Sequence, residues 1–200
     1  MTDWNTLEAQ CRACTACPLA STRKHLVFGV GRQDAEILLV GEGPGANEDA
    51  QGEPFVGVAG QLLDRMLAGV GFSREKNVYI ANIVKCRPPQ NRDPLPEEQD
   101  ACIGWLRQQT LLLRPKIIVC LGRVAACRLI DPDFRVTKEH GRFVQKNGIW
   151  MMGTLHPAAI LRNLTQKPAA FADLVALRDL AVEVCEHTEL WFGDDEPAQG

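Results

Sequence analysis

Short, unbroken apolar runs, each stopped by a glycine or a polar residue, set the pattern of this chain. Glu36 to Val40 carries ILLV and stops at Gly41. Asn77 to Val84 carries YIANIV, and Lys116 to Leu121 reads KIIVCL and stops at Gly122. Runs of this length without alternation predict strands buried on both faces, as in a parallel sheet. Between them the spacing becomes helical. Leu62, Leu63, Met66 and Leu67 recur on one face of Gly60 to Ala68. Glu97 to Leu113 predicts a helix whose first turn suits Pro96, and further helices run from Gly122 through Leu129 and over Phe171 to His187. Residues 4–17 predict an amphipathic helix ending in cysteines. Pro88, Pro89, Pro94 and Pro96 forbid regular structure after the second strand. Arg142 to Lys146 and Ile149 to Leu155 flank Asn147-Gly148, a hairpin signal. There are no internal repeats.

Strands alternating with helices define the fold class as α/β, a parallel sheet with helices on both faces. In such sheets ligands bind beyond the carboxyl ends of the strands. At 200 residues the chain is one domain with a real core. That domain is expected to span residues 1–192, with 193–200 a polar, acidic, disordered tail. Composition is that of an ordinary globular protein, 46% hydrophobic and 24% charged. The formal net charge of −3 argues against a sequence-blind DNA coat, yet leaves room for a local basic patch. Residues 1–10 lack a signal-peptide pattern, and no apolar stretch approaches the roughly 20 residues of a membrane helix. The chain therefore reads as cytoplasmic and without a membrane partner. In that reducing setting its eight cysteines favour metal over disulfides.

Four of those cysteines stand out. Cys14 and Cys17 form C-x-x-C; Cys86 and Cys102 flank the proline-rich loop. Four thiolates from two distant segments can hold an iron–sulfur cluster or a structural zinc. The wide second pair, without a nearby histidine, favours the cluster over zinc. Cys11 extends the first pair toward a ferredoxin-like run that no further cysteine completes. Cys120, Cys127 and Cys185 read as small buried hydrophobes.

The loop Gly41-Glu42-Gly43-Pro44-Gly45 lacks the lysine of a P-loop and is not a dinucleotide fingerprint. Its glycines allow close approach to a ligand. Glu42, Glu48 and Asp49 put carboxylates around it, and Phe55 could stack on a base. Asn82 interrupts an apolar strand near its end. It reads either as a cap or as a recognition amide, able to pair with N3–H and O4 of uracil and mismatched twice against cytosine. His156 follows a strand, with Pro157 fixing the turn. Beyond it, Ile160 and Leu161 are expected in an exposed loop beside Arg162, as wedges that prise apart DNA steps. Lys85, Arg87 and Arg92 are candidates for phosphate contacts.

Seven ordered motifs carry a resemblance: CTACPL, VFG, GEGPGANED, PFVGVAGQLLDRML, NIVKCRPPQNR, IIVCLG and HPAAILRN. From Cys14 to about Leu180 the chain resembles the iron–sulfur uracil-DNA glycosylases, family four of the uracil-DNA glycosylase superfamily. The resemblance implies a central four-stranded parallel sheet flanked by helices, with a C-terminal helix. It implies a [4Fe–4S] cluster on Cys14, Cys17, Cys86 and Cys102, leaving Cys11 outside the set. It also implies removal of uracil from single- or double-stranded DNA, the first step of base-excision repair, by a monomer in a prokaryotic cell. A crosslinking relative carries Arg-Arg-Ile-His in an insert where this chain has Arg87-Pro88-Pro89-Gln90, so turnover is expected rather than a covalent trap. Where the best-studied family carries a water-activating Asp, this chain has Gly43.

The expected roles follow. The base leaves the duplex, Leu161 and Ile160 fill the gap, and Arg87 and Arg162 contact the backbone. Gly41 and Gly43 line the substrate site, Phe55 stacks on uracil, Asn82 reads its edge, and Glu48 crowds C5 against thymine's methyl. His156, neutral, donates to O2, and Glu42 positions water or stabilises the sugar cation. Two rivals remain: a metal-stapled nucleic-acid-binding module without activity, which uracil release would exclude, and a redox protein, in which Asn82 and His156 would be dispensable. The signature of a zinc deaminase is absent.

Overall fold

The computed structural model describes residues 3–192. In chain order the elements are α1 (Trp4–Arg12), β1 (Val30–Gly31), β2 (Ile37–Gly41), α2 (Ala46–Gln51), α3 (Val58–Ala68), β3 (Val78–Asn82) and α4 (Pro96–Leu113). Then come β4 (Ile117–Leu121), α5 (Arg123–Leu129), α6 (Val136–Glu139), β5 (Phe143–Lys146), β6 (Ile149–Thr154), α7 (Pro157–Arg162) and α8 (Lys167–Val184). One mixed sheet runs in the order β1-β3-β2-β4-β6-β5. Its four middle strands are parallel, and β1 and β5 pair antiparallel at the two edges. The parallel four are thus the centre of a six-stranded sheet. β1 escapes a periodicity reading because it is two residues long.

All five positions of β2, β3 and β4 are buried, and parity along each strand decides which layer a side chain joins. Leu38, Val40, Tyr79, Ile118 and Met151 face a layer that includes Leu7 of α1 and Leu106 of α4. Ile37, Leu39, Ile80, Val119 and Met152 face α3 and α8. Both faces are covered, so alternation disappears from these sequences. The hairpin β5–β6 turns at Asn147 and Gly148, at φ 50 and 81, the left-handed pair that such a turn requires.

Element ends differ from expectation for local reasons. Asp3 caps α1, its Oδ1 accepting from Thr6 N at 2.9 Å, but the helix stops at Arg12, so Cys14 and Cys17 lie beyond it. Pro96 does start α4; the Glu98 carboxylate accepts from Leu95 N at 2.8 Å. The closing helix runs Lys167–Val184 rather than to His187. Buried Glu36 explains the stop: its carboxylate accepts from Glu186 N, His187 N and Thr188 Oγ1 at 2.8, 2.9 and 2.8 Å, pulling the chain off as a strap. The tail expected at 193–200 lies outside the described residues.

β3 and β4 flank β2 on opposite sides, so the chain reverses its winding at the carboxyl end of β2. A crevice opens at such a switch point because the connections leave the strand ends in opposite directions.

Candidate active site

A cleft of about 720 Å³ occupies this crevice. Each wall is a strand end. Glu42 follows β2, Asn82 closes β3, Arg123 opens α5 just after β4, and His156 follows β6. Glu42, Gly43, Glu48, Phe55, Asn82, His156 and Arg162 all line it. Gly41 lies behind the lining, paired across the sheet with Asn82. Arg87 and Leu161 stand outside it.

Asn82 is 2% exposed, and its Oδ1 is the one buried side-chain polar atom among the described residues without a hydrogen-bond partner. Leaving such an acceptor unpaired costs roughly 1–3 kcal/mol, so this atom adds nothing to stability. A side chain at Gly41 would meet Phe55 Cζ at 2.7 Å and the Asn82 oxygen closer still. Glycine there keeps ring and amide clear.

Phe55 is held by its backbone. It adopts φ 54, unusual for a bulky residue. Arg74 donates to the Pro54 and Phe55 carbonyls at 2.9 Å each and pairs with Asp64 at 2.8 Å. Gly60 of α3 lets that helix press directly on the Phe55 carbonyl. The ring centroid lies 5.7 Å from that of His156, with planes 34° apart.

His156 is the cap of α7. Its Nδ1 accepts from Ala158 N at 3.1 Å, which places the proton of the neutral ring on Nε2. Burial, and then the Arg162 cation, push its pKa down to about 4, so the ring stays neutral near pH 7. Gly122, at φ 93, leaves room for it: a Cβ there would sit 2.8 Å from His156 Cβ.

The carboxylates divide. Burial, reinforced by the neighbouring Asp93, raises Glu42 to about 7, while Arg123 opposes the shift. Glu48 is a clamp. One oxygen accepts from Gly45 N at 3.1 Å, the other from Val56 N and Gly57 N at 3.0 Å each. It joins the glycine loop to the Phe55 segment.

Three of the basic and apolar candidates, Ile160, Lys85 and Arg92, need correction. Ile160 is 1% exposed and belongs to the core between the sheet and α3, so it cannot enter DNA. The expected loop is helix α7, and its turn of about 100° per residue sends neighbours to different faces: Leu161 is 37% exposed. Lys85 is fully buried and donates to Gln109 Oε1 at 2.6 Å, so it cannot reach phosphate. Arg92 is tied to Glu98 by two hydrogen bonds of 2.8 and 2.7 Å. Arg87 donates Nε to Asn91 Oδ1 at 2.7 Å.

Away from the cleft, Cys14, Cys17, Cys86 and Cys102 line one small void with Arg23, Lys85 and Trp105. Backbone and guanidinium donors point at the sulfurs: Arg23 Nη1 to Cys86 Sγ and Lys85 N to Cys102 Sγ, both at 3.3 Å. Among the described residues no group of three His, Cys, Asp or Glu is gathered as a single-ion site. An all-sulfur donor set surrounding a shared void fits a cluster, whose outer ligands stand further apart than those of one ion. Cys11 lies outside this lining, on the buried face of α1, where desolvation pushes its thiol up to about 12. Cys120 is fully buried in β4; Cys127 and Cys185 are half-buried.

Asp93, Arg123, Arg74 and Gly122 belong to the site and were not read from the sequence. Gly122-Arg123 carried a usable signal, because it ends a buried strand as Gly41-Glu42 does. Asp93 and Arg74 carried none: both sit in loops, and the site groups they meet, Arg123 and the Pro54 and Phe55 carbonyls, lie 19 or more residues away in the chain.

A doubly wound sheet with this cleft at its switch point is the architecture of a superfamily, and the chain belongs to it: the uracil DNA glycosylase superfamily matches residues 28–179. Within that class it falls with the type-4 uracil-DNA glycosylases. It is 47% identical to the one from Archaeoglobus fulgidus, over 74% of this chain and 78% of that relative. The Thermotoga maritima protein of the same name is 46% identical over 76% and 80%, and the Sulfurisphaera tokodaii one 40% identical over 90% and 86%.

Proposed function

We propose that this protein excises uracil from DNA as a base-excision repair glycosylase, and one observation carries the reading: the buried, unpaired Oδ1 of Asn82 beside the face of Phe55. Uracil supplies what that atom lacks. Its N3–H donates to Oδ1, and O4 accepts from the amide nitrogen. Cytosine offers an acceptor and a donor in those places, leaving two buried groups unpaired. The amide is accessible only to a base out of the stack, so the nucleotide is flipped or already single-stranded. Glu48 faces the cleft from its clamped position, where it crowds C5.

The bond that breaks joins the sugar C1′ to N1 of uracil. Its electron pair moves into the ring and onto O2, where Nε2–H of the neutral His156 donates to the growing charge. Water adds to C1′ of the cationic sugar and passes a proton to the Glu42 carboxylate. Leu161 occupies the vacated stack, and Arg162 and Arg87 serve the phosphates.

Cys14, Cys17, Cys86 and Cys102 would hold a [4Fe–4S] cluster. When bound, such a group supplies structure, tying the segment after α1 to the loop that leads from β3 into α4. No helix among the described residues is long and apolar enough to cross a membrane.

Single-turnover release of uracil from a labelled oligonucleotide tests the activity; an intact product strand after abasic-site cleavage treatment refutes it. Iron and zinc analysis of the purified protein, with its visible absorption, tests the metal. Stoichiometric iron and a brown colour are expected, and a colourless zinc protein excludes the cluster. The two apolar neighbours also separate. Ile160→Ala should cost about 2–5 kcal/mol of stability, as core truncations do. Leu161→Ala should leave the melting temperature in place and weaken excision from duplex more than from single strands. Equal losses on both substrates would remove Leu161 from the wedge role.

A further inference from the structure

Phe55 supplies the one phenyl ring of the cleft, and its backbone stands at φ 54. A bulky residue keeps a positive φ only where its surroundings over-determine it. Here they grip one peptide group from both ends. The Phe55 carbonyl accepts from Arg74 Nη2 at 2.9 Å, and the Val56 N–H donates to Glu48 Oε1 at 3.0 Å. The flanking groups are held in the same way. Arg74 Nη1 donates to the Pro54 carbonyl at 2.9 Å, and Gly57 N donates to the same Glu48 oxygen at 3.0 Å. A cation thus holds two successive carbonyls and a carboxylate the next two amides. Turning the Phe55–Val56 peptide over would aim each end at the wrong charge.

We propose that Arg74 is a positioning residue acting through Phe55: set against Glu48 across that peptide, it holds the ring where it stacks on uracil. The inference rests on the reading of Phe55 as the stacking face. Arg74 belongs to the connection between α3 and β3, 19 residues beyond Phe55, and does not itself line the cleft. Its side chain is 11% exposed, and Asp64 Oδ1 on α3 accepts from Nε and Nη2 at 3.0 and 2.8 Å, fixing the plane of the fork. Gly60 gives the Phe55 carbonyl room, and Arg74 gives it a donor. Glu48 grips only the amide side. Without the guanidinium the carbonyl turns, the backbone relaxes to negative φ, and the ring leaves its place against His156.

A double-mutant cycle with Phe55→Ala tests this. The readout is single-turnover uracil release at subsaturating protein from a single-stranded oligonucleotide, where no duplex has to be opened. Phe55→Ala should lower release by about 5- to 150-fold, the range of one base–aromatic stack. Arg74→Met should cause a loss within that range, and none beyond Phe55→Ala when the two are combined. Arg74→Lys keeps a cation for Asp64 but has one ammonium for two carbonyls, so it should recover part of the loss, and only where Phe55 is present. It also carries the test should the methionine variant not fold. In NMR spectra the Phe55 ring signals, identified by their loss in Phe55→Ala, should move in both Arg74 variants. Equal fold-losses with and without Phe55 overturn the inference, because general damage to the fold does not depend on the ring. Full release by the Arg74 variants, or unmoved ring signals, overturns it as well. A wild-type protein that releases no uracil, or a Phe55→Ala variant with full release, removes the stacking reading itself and this inference with it.

Discussion

Asn82→Ala should reduce uracil excision by about 10²–10⁴-fold and leave the fold intact. The magnitude follows from two lost hydrogen bonds to the base, each leaving a buried polar group unpaired at roughly 1–3 kcal/mol. The fold survives because the native Oδ1 has no internal partner to lose, so truncation relieves a buried acceptor rather than breaking a network. A melting temperature equal to or above the wild type, together with lost excision, is the expected pair of results. Full excision with the alanine in place would remove the recognition role. Asn82→Asp sharpens the test. A charged carboxylate repels O4, whereas a protonated one can donate to it, so any residual activity should grow toward acid pH.

His156→Ala should lower the single-turnover rate by about 10²–10³, the range for losing one preorganised donor to a developing oxyanion. Affinity for uracil-containing DNA should change far less, because O2 carries little extra charge until the bond breaks. The proton inventory makes this specific. Nδ1 is occupied by Ala158 N, so only Nε2 can serve O2, and His156→Gln should restore part of the rate if its amide reaches the same point. The ring also leaves a mark on stability. Its folded pKa of about 4 lies below the ordinary 6.5, so acid favours the unfolded chain. The contribution of His156 is complete above pH 6.5 and declines as pH falls toward 4. Thermal melts across that window should fall less steeply for His156→Ala. Equal slopes would show that the ring is not buried in its neutral form. With Glu42 raised to about 7, an acid limb of the rate is expected near that pH, and it should persist in any measurable residual activity of the alanine variant.

What could be read in advance is whatever depends on neighbours along the chain. ILLV before Gly41 and IIVCL before Gly122 mark buried strands and their ends, since a strand covered on both faces has no polar positions to show. The carboxyl ends of parallel strands lie at one edge of a sheet. A carboxylate, an amide and an imidazole that each end or follow such a strand must therefore approach one another. That is why Glu42, Asn82 and His156 share a cleft although more than 110 positions separate the first from the last. Cys14, Cys17, Cys86 and Cys102 were legible for their chemistry, because few roles use thiols in that arrangement.

Exposure and pairing were not legible. Ile160 and Leu161 are adjacent and similar, yet one is core and the other faces outward, because the rotation of α7 against α3 settles it. Lys85 and Arg92 read as phosphate contacts until Gln109 and Glu98, both on α4, are brought up against them. Glu48 reads as a free acid until the fold supplies three backbone amides. Asp93 becomes part of the site only because its loop crosses the sheet end to meet Glu42 and Arg123. The sequence by itself determined which strands form, where they stop and which chemical groups stand at their ends, since those are consequences of local spacing and side-chain type. The tertiary structure alone decided which charges are spent, which side chains face out, and at what pH a carboxyl gives up its proton. Those quantities depend on desolvation and on charges a few ångströms away, supplied by segments remote in the chain.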